Sequence, residues 1–152
     1  MNRILLGVIG NGRRELLEQT VASAESRLQG DFLKKVMIND APSPEYNQYL
    51  IDTYGDEFIV INHQYNMGLS GSIITLWEYA QSIEADYIFH LEDDFTFNQK
   101  IYIDDLIWIL KNKSHLAQIA LKRQPVNSYF HLHFDLFLYL HLHLDLVLVD
   151  LC

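Results

Sequence analysis

The stretch Tyr87-Ile88-Phe89-His90-Leu91-Glu92-Asp93-Asp94-Phe95 joins a short apolar run to three consecutive carboxylates. The β-branched and aromatic residues of the run predict a buried strand. Because side chains at positions i and i+2 of a strand share a face, we expect Glu92 and Asp94 to point together and Asp93 to point away. Acids at the end of a buried strand resist desolvation, and a divalent cation held by oxygen ligands would remove that penalty. A solvated acidic turn is the alternative.

Length and composition predict one folded domain with its own core. The chain has 152 residues, of which 49% are hydrophobic. Its net charge of −9 argues against a general nucleic-acid-binding surface. A single cysteine, Cys152, rules out a disulfide framework within the chain. No apolar run reaches the roughly 18 residues that span a bilayer, so we expect a cytoplasmic protein with no transmembrane segment and no nucleic-acid partner.

Apolar strands alternate with amphipathic helices up to about residue 127. The predicted strands are Ile4–Ile9, Phe32–Ile38, Phe58–Ile61, the run from Tyr87, and Leu116–Leu121. The apolar faces of the predicted helices begin at Leu16, Tyr46, Leu69 and Ile103, with Ser43 capping the second helix. This alternation predicts an α/β fold, with a Rossmann-like, mostly parallel sheet and helices on both faces.

From Ser128 onward the sequence becomes repetitive. His131-Leu132-His133-Phe134-Asp135 is nearly repeated as His141-Leu142-His143-Leu144-Asp145, within a strict apolar alternation. Three interpretations remain open: a frameshift product of repetitive DNA, a long amphipathic strand, or a zinc site built from alternating histidines. The His-x-His-x-Asp pattern resembles part of the metal motif of metallo-β-lactamase-like hydrolases, although Leu136 replaces their next histidine. We therefore divide the chain into a domain of residues 1–127 and a repetitive tail of residues 128–152.

Segments with polar or charged side chains that could bind a ligand follow each of the first four predicted strands. Because the carboxyl ends of parallel strands meet at one edge of a sheet, where ligands bind, we expect these segments to converge. They are Asn11-Gly12-Arg13, Asp40, the run from His63 to Gly68, and Glu92 to Asp94. The sequence therefore predicts one ligand site at this edge.

Several of these residues suit a phosphorylated nucleoside. Asp40 would accept hydrogen bonds from a ribose or a base, Asn66 and Gly68 allow a tight turn, and Ser70 opens a helix whose N-terminal amides favour phosphate.

Three residues in or near these segments also have a simpler interpretation that involves no ligand. Arg13 would be a solvated helix residue, and His63 and His90 would be structural histidines with satisfied hydrogen bonds rather than ligands.

Taken in order, these motifs resemble the family 2-like glycosyltransferases of the GT-A fold. The resemblance covers about residues 3–127 and depends on Ile4–Ile9, Asp40, Asn66–Ser72 and Glu92–Asp94. It implies a site for a nucleoside-diphosphate sugar and for a Mn²⁺ or Mg²⁺ ion, with Asp94 as the principal metal ligand. The candidate nucleotide-sugar-binding residues are Asn11, Gly12, Arg13, Asp40, Asn66, Gly68, Ser70 and Asp93, and the candidate metal ligands are Glu92 and Asp94.

The chain also departs from the family pattern. Ile73-Ile74 replaces an Arg-Asn pair that is common inside the third helix. The acceptor site and catalytic base of GT-A enzymes lie beyond the point where this sequence becomes repetitive. The predicted function is therefore the donor-binding part of a metal-dependent glycosyltransferase with an unknown acceptor, which is a glycan, a protein or a lipid, and with no identified catalytic base.

Two other functions remain open. One is a truncated or inactive nucleotide-binding remnant, or an interaction module without turnover. The other is a nucleotidyltransferase, which we rank lower because Gly10-Asn11-Gly12-Arg13-Arg14 poorly matches a glycine-rich triphosphate loop.

Overall fold

The computed structural model of the chain describes residues 2–121 and 146–150. Its strands are β1 (Ile4–Gly10), β2 (Leu28–Gln29), β3 (Lys34–Asn39), β4 (Ile59–Asn62), β5 (Tyr87–Glu92), β6 (Ile101–Tyr102), β7 (Gln118–Ala120) and β8 (Leu146–Asp150). Its helices are α1 (Arg14–Arg27), α2 (Pro44–Tyr54), α3 (Gly68–Ser82) and α4 (Ile103–Asn112). The alternation of strands and helices predicted from apolar periodicity is confirmed.

The main sheet has the strand order β4-β3-β1-β5-β8-β7. Strands β4, β3, β1 and β5 are parallel neighbours, whereas β8 runs antiparallel to both β5 and β7. A separate parallel pair joins β2 to β6. The mostly parallel sheet is thus confirmed, and its four parallel strands end at a common edge.

Helices cover both faces of this sheet, as predicted. On one face, α3 packs Leu76 and Ala80 against Leu5 and Ile88. On the other face, α1, α2 and α4 pack against the alternate side chains of the same strands, among them Phe89. Neighbouring residues of a strand point to opposite faces, so one apolar strand contributes to both layers of the core.

Two residues expected on apolar helix faces are instead exposed. Leu16 is 37% accessible, because the buried stripe of α1 consists of Leu17, Thr20, Val21 and Ala24. Leu69 is 44% accessible and lies in the first turn of α3, at the carboxyl edge of the sheet. The helical period and most of each stripe were therefore right, and only the first residue assigned to each of these two stripes is exposed.

The predicted cap of α2 is confirmed. The Ser43 hydroxyl accepts a hydrogen bond from the Tyr46 N–H at 3.3 Å, and Pro44 opens the helix. The longest described helix, α3, has 15 residues. Among the helices of residues 2–121 and 146–150, none has the length and apolar character needed to cross a membrane.

The end of the repetitive tail contributes a strand. Residues 146–150 form β8, which lies between β5 and β7 and pairs Phe89 with Leu148 and Ile119 with Leu148. Both His-x-His-x-Asp repeats lie outside the described residues, so the zinc and frameshift hypotheses stay predictions. The domain boundary at residue 127 stays a prediction as well.

Candidate functional site

Hydrogen bonds link the loops that follow the four parallel strands. The Asn11 N–H donates to the Asp93 carboxylate at 3.0 Å, which joins the loops after β1 and β5. The side-chain amide of Asn66 donates to Asn11 Oδ1 at 3.2 Å and to the Asp40 carbonyl at 3.1 Å. The structure therefore brings the predicted segments together at one edge of the sheet.

The acidic turn differs from its predicted geometry. Strand β5 ends at Glu92, which is partly buried, and residues 93–94 form a turn. Strand alternation therefore stops before Asp93, which is 1% exposed and faces the loop after β1. The expectation that Asp93 points away from Asp94 is wrong, because both carboxylates contact Arg13.

Arg13 is the cation at this turn. Its Nη2 pairs with Asp93 Oδ1, its Nε donates to Asp93 Oδ2 at 3.4 Å, and its Nη1 donates to Asp94 Oδ2 at 3.1 Å. The hydrogen bonds that Arg13 donates to Asp93 raise the pKa of Arg13 further above its usual range. Arg13 lies at the N-cap of α1 and 46% of its side chain is accessible, so it is solvated as expected, but it is also paired with both carboxylates.

The carboxylates of the acidic turn are candidate ligands for a metal ion. Glu92, Asp93 and Asp94 offer the oxygen ligands that Mn²⁺ and Mg²⁺ prefer. However, the described part of the chain contains no group of three or more His, Cys, Asp or Glu side chains placed to hold a metal ion. The ligand chemistry is suitable, but this arrangement does not fit an ion because Arg13 is bonded to two of the carboxylates.

Asp40 takes part in a buried network. Its Oδ1 accepts a hydrogen bond from the Met67 N–H at 2.7 Å and lies 2.8 Å from His63 Nδ1. The other ring nitrogen of His63 is hydrogen bonded to Thr75 Oγ1 at 2.9 Å. The expectation that His63 is a satisfied structural histidine is confirmed. Asp40 thereby ties the loop after β3 to the start of α3.

His90 differs from His63. It is 5% exposed, and its Nε2 has no hydrogen-bond partner within residues 2–121 and 146–150. Burial lowers the pKa of His90 to about 4, because the charged imidazolium is poorly solvated there. His90 is thus a buried neutral histidine, and among the residues that the structure describes its Nε2 does not meet the expectation of satisfied hydrogen bonds.

Two positions at the carboxyl edge of the sheet have a backbone conformation that favours glycine. Gly12 and Gly68 have φ angles of +78° and +70°, which residues other than glycine rarely adopt. Asn66 Oδ1 accepts the Gly68 N–H at 3.2 Å, which closes the predicted tight turn. Ser70 is exposed in the first turn of α3, and Met67 at the N-cap makes no side-chain capping bond.

Sequence reasoning missed two residues near the edge. Thr75 lies within α3, 12 positions after His63, and no local signal in the sequence indicates their contact. Tyr46 was assigned only to an apolar face, yet burial and then the charge of Asp93 raise the pKa of its hydroxyl to about 12. That hydroxyl has no hydrogen-bond partner in the described part of the chain. The ion pairs of Arg13 with Asp93 and Asp94, by contrast, could have been predicted, because the sequence already placed these opposite charges at the same edge of the sheet.

Two cavities lie away from this edge. One, of about 250 Å³, lies between α1 and α2, and the other, of about 200 Å³, lies between α1 and the sheet. Neither is lined by any of the candidate site residues.

Known proteins resemble this chain in structure rather than in sequence. No protein-family model matches the chain, and no curated protein sequence matches it significantly. S. aureus TarS 1-349 in complex with UDP superposes with a TM-score of 0.69 at 12% identity, over 95% of this chain and 46% of that chain. The mannosyltransferase PcManGT from Pyrobaculum calidifontis, in complex with GDP-Man and Mn²⁺, gives a TM-score of 0.67 at 11% identity, over 97% and 44%.

The chain has the GT-A glycosyltransferase fold. TarS 1-349 with bound UDP-GlcNAc also superposes, with a TM-score of 0.60 at 14% identity over 85% of this chain. The chain spans between 23% and 46% of the length of these solved glycosyltransferase chains. The fold implied by the sequence motifs is therefore shared with these solved glycosyltransferase chains in the arrangement of strands and helices.

Proposed function

We propose that this chain binds a nucleoside-diphosphate sugar at the carboxyl edge of its sheet and is the donor-binding part of a glycosyltransferase. The observation that best supports this is the hydrogen-bonded contact among the four loops through Asn11, Asn66, Asp40 and Asp93. Solved proteins of the same fold hold UDP, UDP-GlcNAc or GDP-Man.

Each loop has a proposed role in holding the donor. Asp40 would contact the base or ribose, and it would use Oδ2 because Oδ1 is bonded to Met67 and His63. The first turn of α3, with Gly68 and Ser70, would receive the diphosphate, since helix N-termini favour anions. The remaining candidates, Asn11, Gly12, Arg13 and Asp93, would line the opposite side of the same opening.

A divalent ion is part of the proposal. Mn²⁺ or Mg²⁺ would offset the charge of the diphosphate, and Glu92 and Asp94 are the residues proposed to hold it. The Mn²⁺ in the mannosyltransferase complex supports the use of a divalent ion, whereas the pairing of Arg13 with Asp94 opposes an ion held by Asp94. Transfer of the sugar to an acceptor is a further proposal, because the chain spans less than half of the solved enzymes.

Thermal-shift titration with UDP- and GDP-sugars, with and without Mn²⁺, tests donor binding. We expect stabilisation by at least one nucleotide sugar, an increase on adding Mn²⁺, and loss of that increase in Asp94→Asn. Asp56→Asn is the matched control, because Asp56 is exposed in the turn before β4, at the opposite end of the sheet. If no nucleotide sugar shifts the wild-type transition, donor binding is refuted. A product assay then separates an enzyme from a binding remnant.

A further inference from the structure

We propose that the outer face of α3 is a dimer interface, against which a second copy of this chain packs its own α3 in the antiparallel direction. Residues that recur at alternating spacings of three and four form this face, namely Met67 at the N-cap, Ser70, Ile74, Trp77 and Gln81. Such spacing places side chains in one stripe along a helix. The inference does not depend on the proposed function.

The centre of this face is both exposed and apolar. Ile74 and Trp77 are 57% and 44% accessible, and Met67 is 42% accessible. On the opposite side of the helix, Leu76 and Ala80 are buried against the sheet, so α3 is apolar on two sides. A surface helix normally presents polar and charged residues to solvent, and an exposed apolar patch marks an interaction site.

The helix carries very little charge. Charged residues make up 20% of the chain, yet Glu78 is the single charged residue among the 15 of α3. Two copies with a net charge of −9 repel each other over most of their surfaces. The outer face of α3 is where two such chains can meet with little local repulsion, whereas a charged partner protein would find little to pair with there. The face therefore fits a second copy.

An antiparallel pair of these helices is complementary in shape. With Ile74 on the twofold axis, the helical spacing places Trp77 of each copy opposite Gly71 of the other copy, and Glu78 opposite Ser70. The large indole therefore meets a residue that has no side chain. In a parallel pair, Trp77 would meet Trp77 and Glu78 would meet Glu78, which crowds the contact and adds like-charge repulsion.

Charge complementarity favours the same direction. Ser70 lies in the first turn of α3, and Met67 at the N-cap makes no side-chain capping bond. The N-terminal end of a helix carries a partial positive charge, and the antiparallel pair places the Glu78 carboxylate beside that end of the other copy. The N–H groups of the first turn point along the helix axis, so the pairing leaves them open to the proposed donor.

Sedimentation velocity of the full chain tests the dimer, under reducing conditions that keep Cys152 from linking two copies. One pair of 15-residue helices, each about 22 Å long, is a small interface, so we expect a dissociation constant of roughly 10–100 µM. Ile74→Glu should weaken association at least about ten-fold, because two carboxylates would meet at the axis. Ile51→Glu is the matched control and should dimerise like wild type, since Ile51 is 49% accessible on α2.

A mixture of two variants tests the position of the axis. Ile74→Glu and Ile74→Lys should each be monomeric alone, and together they should associate, because opposite charges then face each other. If the mixture stays monomeric under conditions in which wild type dimerises, Ile74 does not lie on a twofold axis, and the proposed pairing is overturned.

Fluorescence gives a second measurement on a chain whose face is intact. Trp77 and Trp108 are the two tryptophans, so Trp108→Phe leaves Trp77 as the reporter. Its emission should shift to shorter wavelength as the chain concentration rises, whereas Trp77→Phe, which keeps the 64% accessible Trp108, should show no shift. Wild type that remains monomeric at about 500 µM, well above the affinity expected of a small interface, overturns the dimer. So does Ile74→Glu that associates as tightly as Ile51→Glu.

Discussion

Asp40 and His63 form a buried pair in which 2.8 Å separates Oδ1 from Nδ1. The two residues are 3% and 8% exposed. The same carboxylate oxygen accepts the Met67 N–H at 2.7 Å. One oxygen therefore connects the end of β3, the end of β4 and the start of α3, and it fixes the shape of the edge where we propose that the donor binds.

Replacing Asp40 by asparagine should destabilise the fold. The amide is neutral, so it weakens a buried charge-assisted hydrogen bond, and we expect the free energy of unfolding to fall by roughly 1–3 kcal/mol. Urea unfolding of the full chain measures this change. The exposed control Asp56→Asn should stay within about 0.5 kcal/mol of wild type. Equal stability of the two variants would show that the buried pair contributes nothing.

Gly7 should tolerate no side chain. A Cβ placed there would lie 2.4 Å from Leu76 Cδ1, and Leu76 is itself 1% exposed, so neither group has room to move. We expect Gly7→Ala to lower the free energy of unfolding by about 1–3 kcal/mol through overpacking. Gly10→Ala is the control, because its Cβ would meet Asp93 at an ordinary 3.5 Å. A Gly7→Ala chain as stable as Gly10→Ala would mean that α3 does not pack this closely on β1.

The ion pair between Arg3 and Asp86 should make stability depend on pH. Hydrogen bonds from the Arg3 side chain, and then from its backbone N–H, lower the pKa of Asp86 below its ordinary value. A carboxyl group with a lowered folded-state pKa stabilises the fold above its unfolded pKa, and this contribution is lost as the pH falls through the folded-state value. At pH 7, Asp86→Asn should therefore be less stable by about 0.5–1 kcal/mol, since the pair is partly exposed.

Urea unfolding of wild type and Asp86→Asn from pH 7 to pH 3 checks this sign. The two stabilities should be separated at neutral pH and should converge below about pH 4. A difference that stays constant over the whole range would mean that the ionised form of Asp86 is not what stabilises the fold.

Much of the fold follows from apolar periodicity. The runs at Ile4, Phe58 and Tyr87 are short and rich in β-branched and aromatic residues, whereas Ile103, Leu106, Ile107 and Leu110 recur at the helical period and are all buried. Because such strands alternate with helices, a parallel sheet with one shared carboxyl edge could be predicted, and so could the convergence of the loops after β1, β3, β4 and β5.

The detailed chemistry of the edge could not be predicted in the same way. The position of Asp93 depends on β5 ending at Glu92, and strand ends are poorly determined by local sequence. The contact between His63 and Thr75 joins residues 12 positions apart through tertiary packing. Whether Arg13 or a metal ion neutralises the acids is likewise a matter of distances between loops rather than of residue spacing.

Amide hydrogen exchange of the full chain, with and without saturating UDP or GDP and Mn²⁺, tests the proposed donor site most directly. If the donor binds there, we expect slower exchange in residues 10–13, 40–43, 66–72 and 92–95 together, with little change in α4 (Ile103–Asn112). No slowing in these four segments, or slowing confined to the cavities beside α1, would contradict a donor site at the carboxyl edge of the sheet.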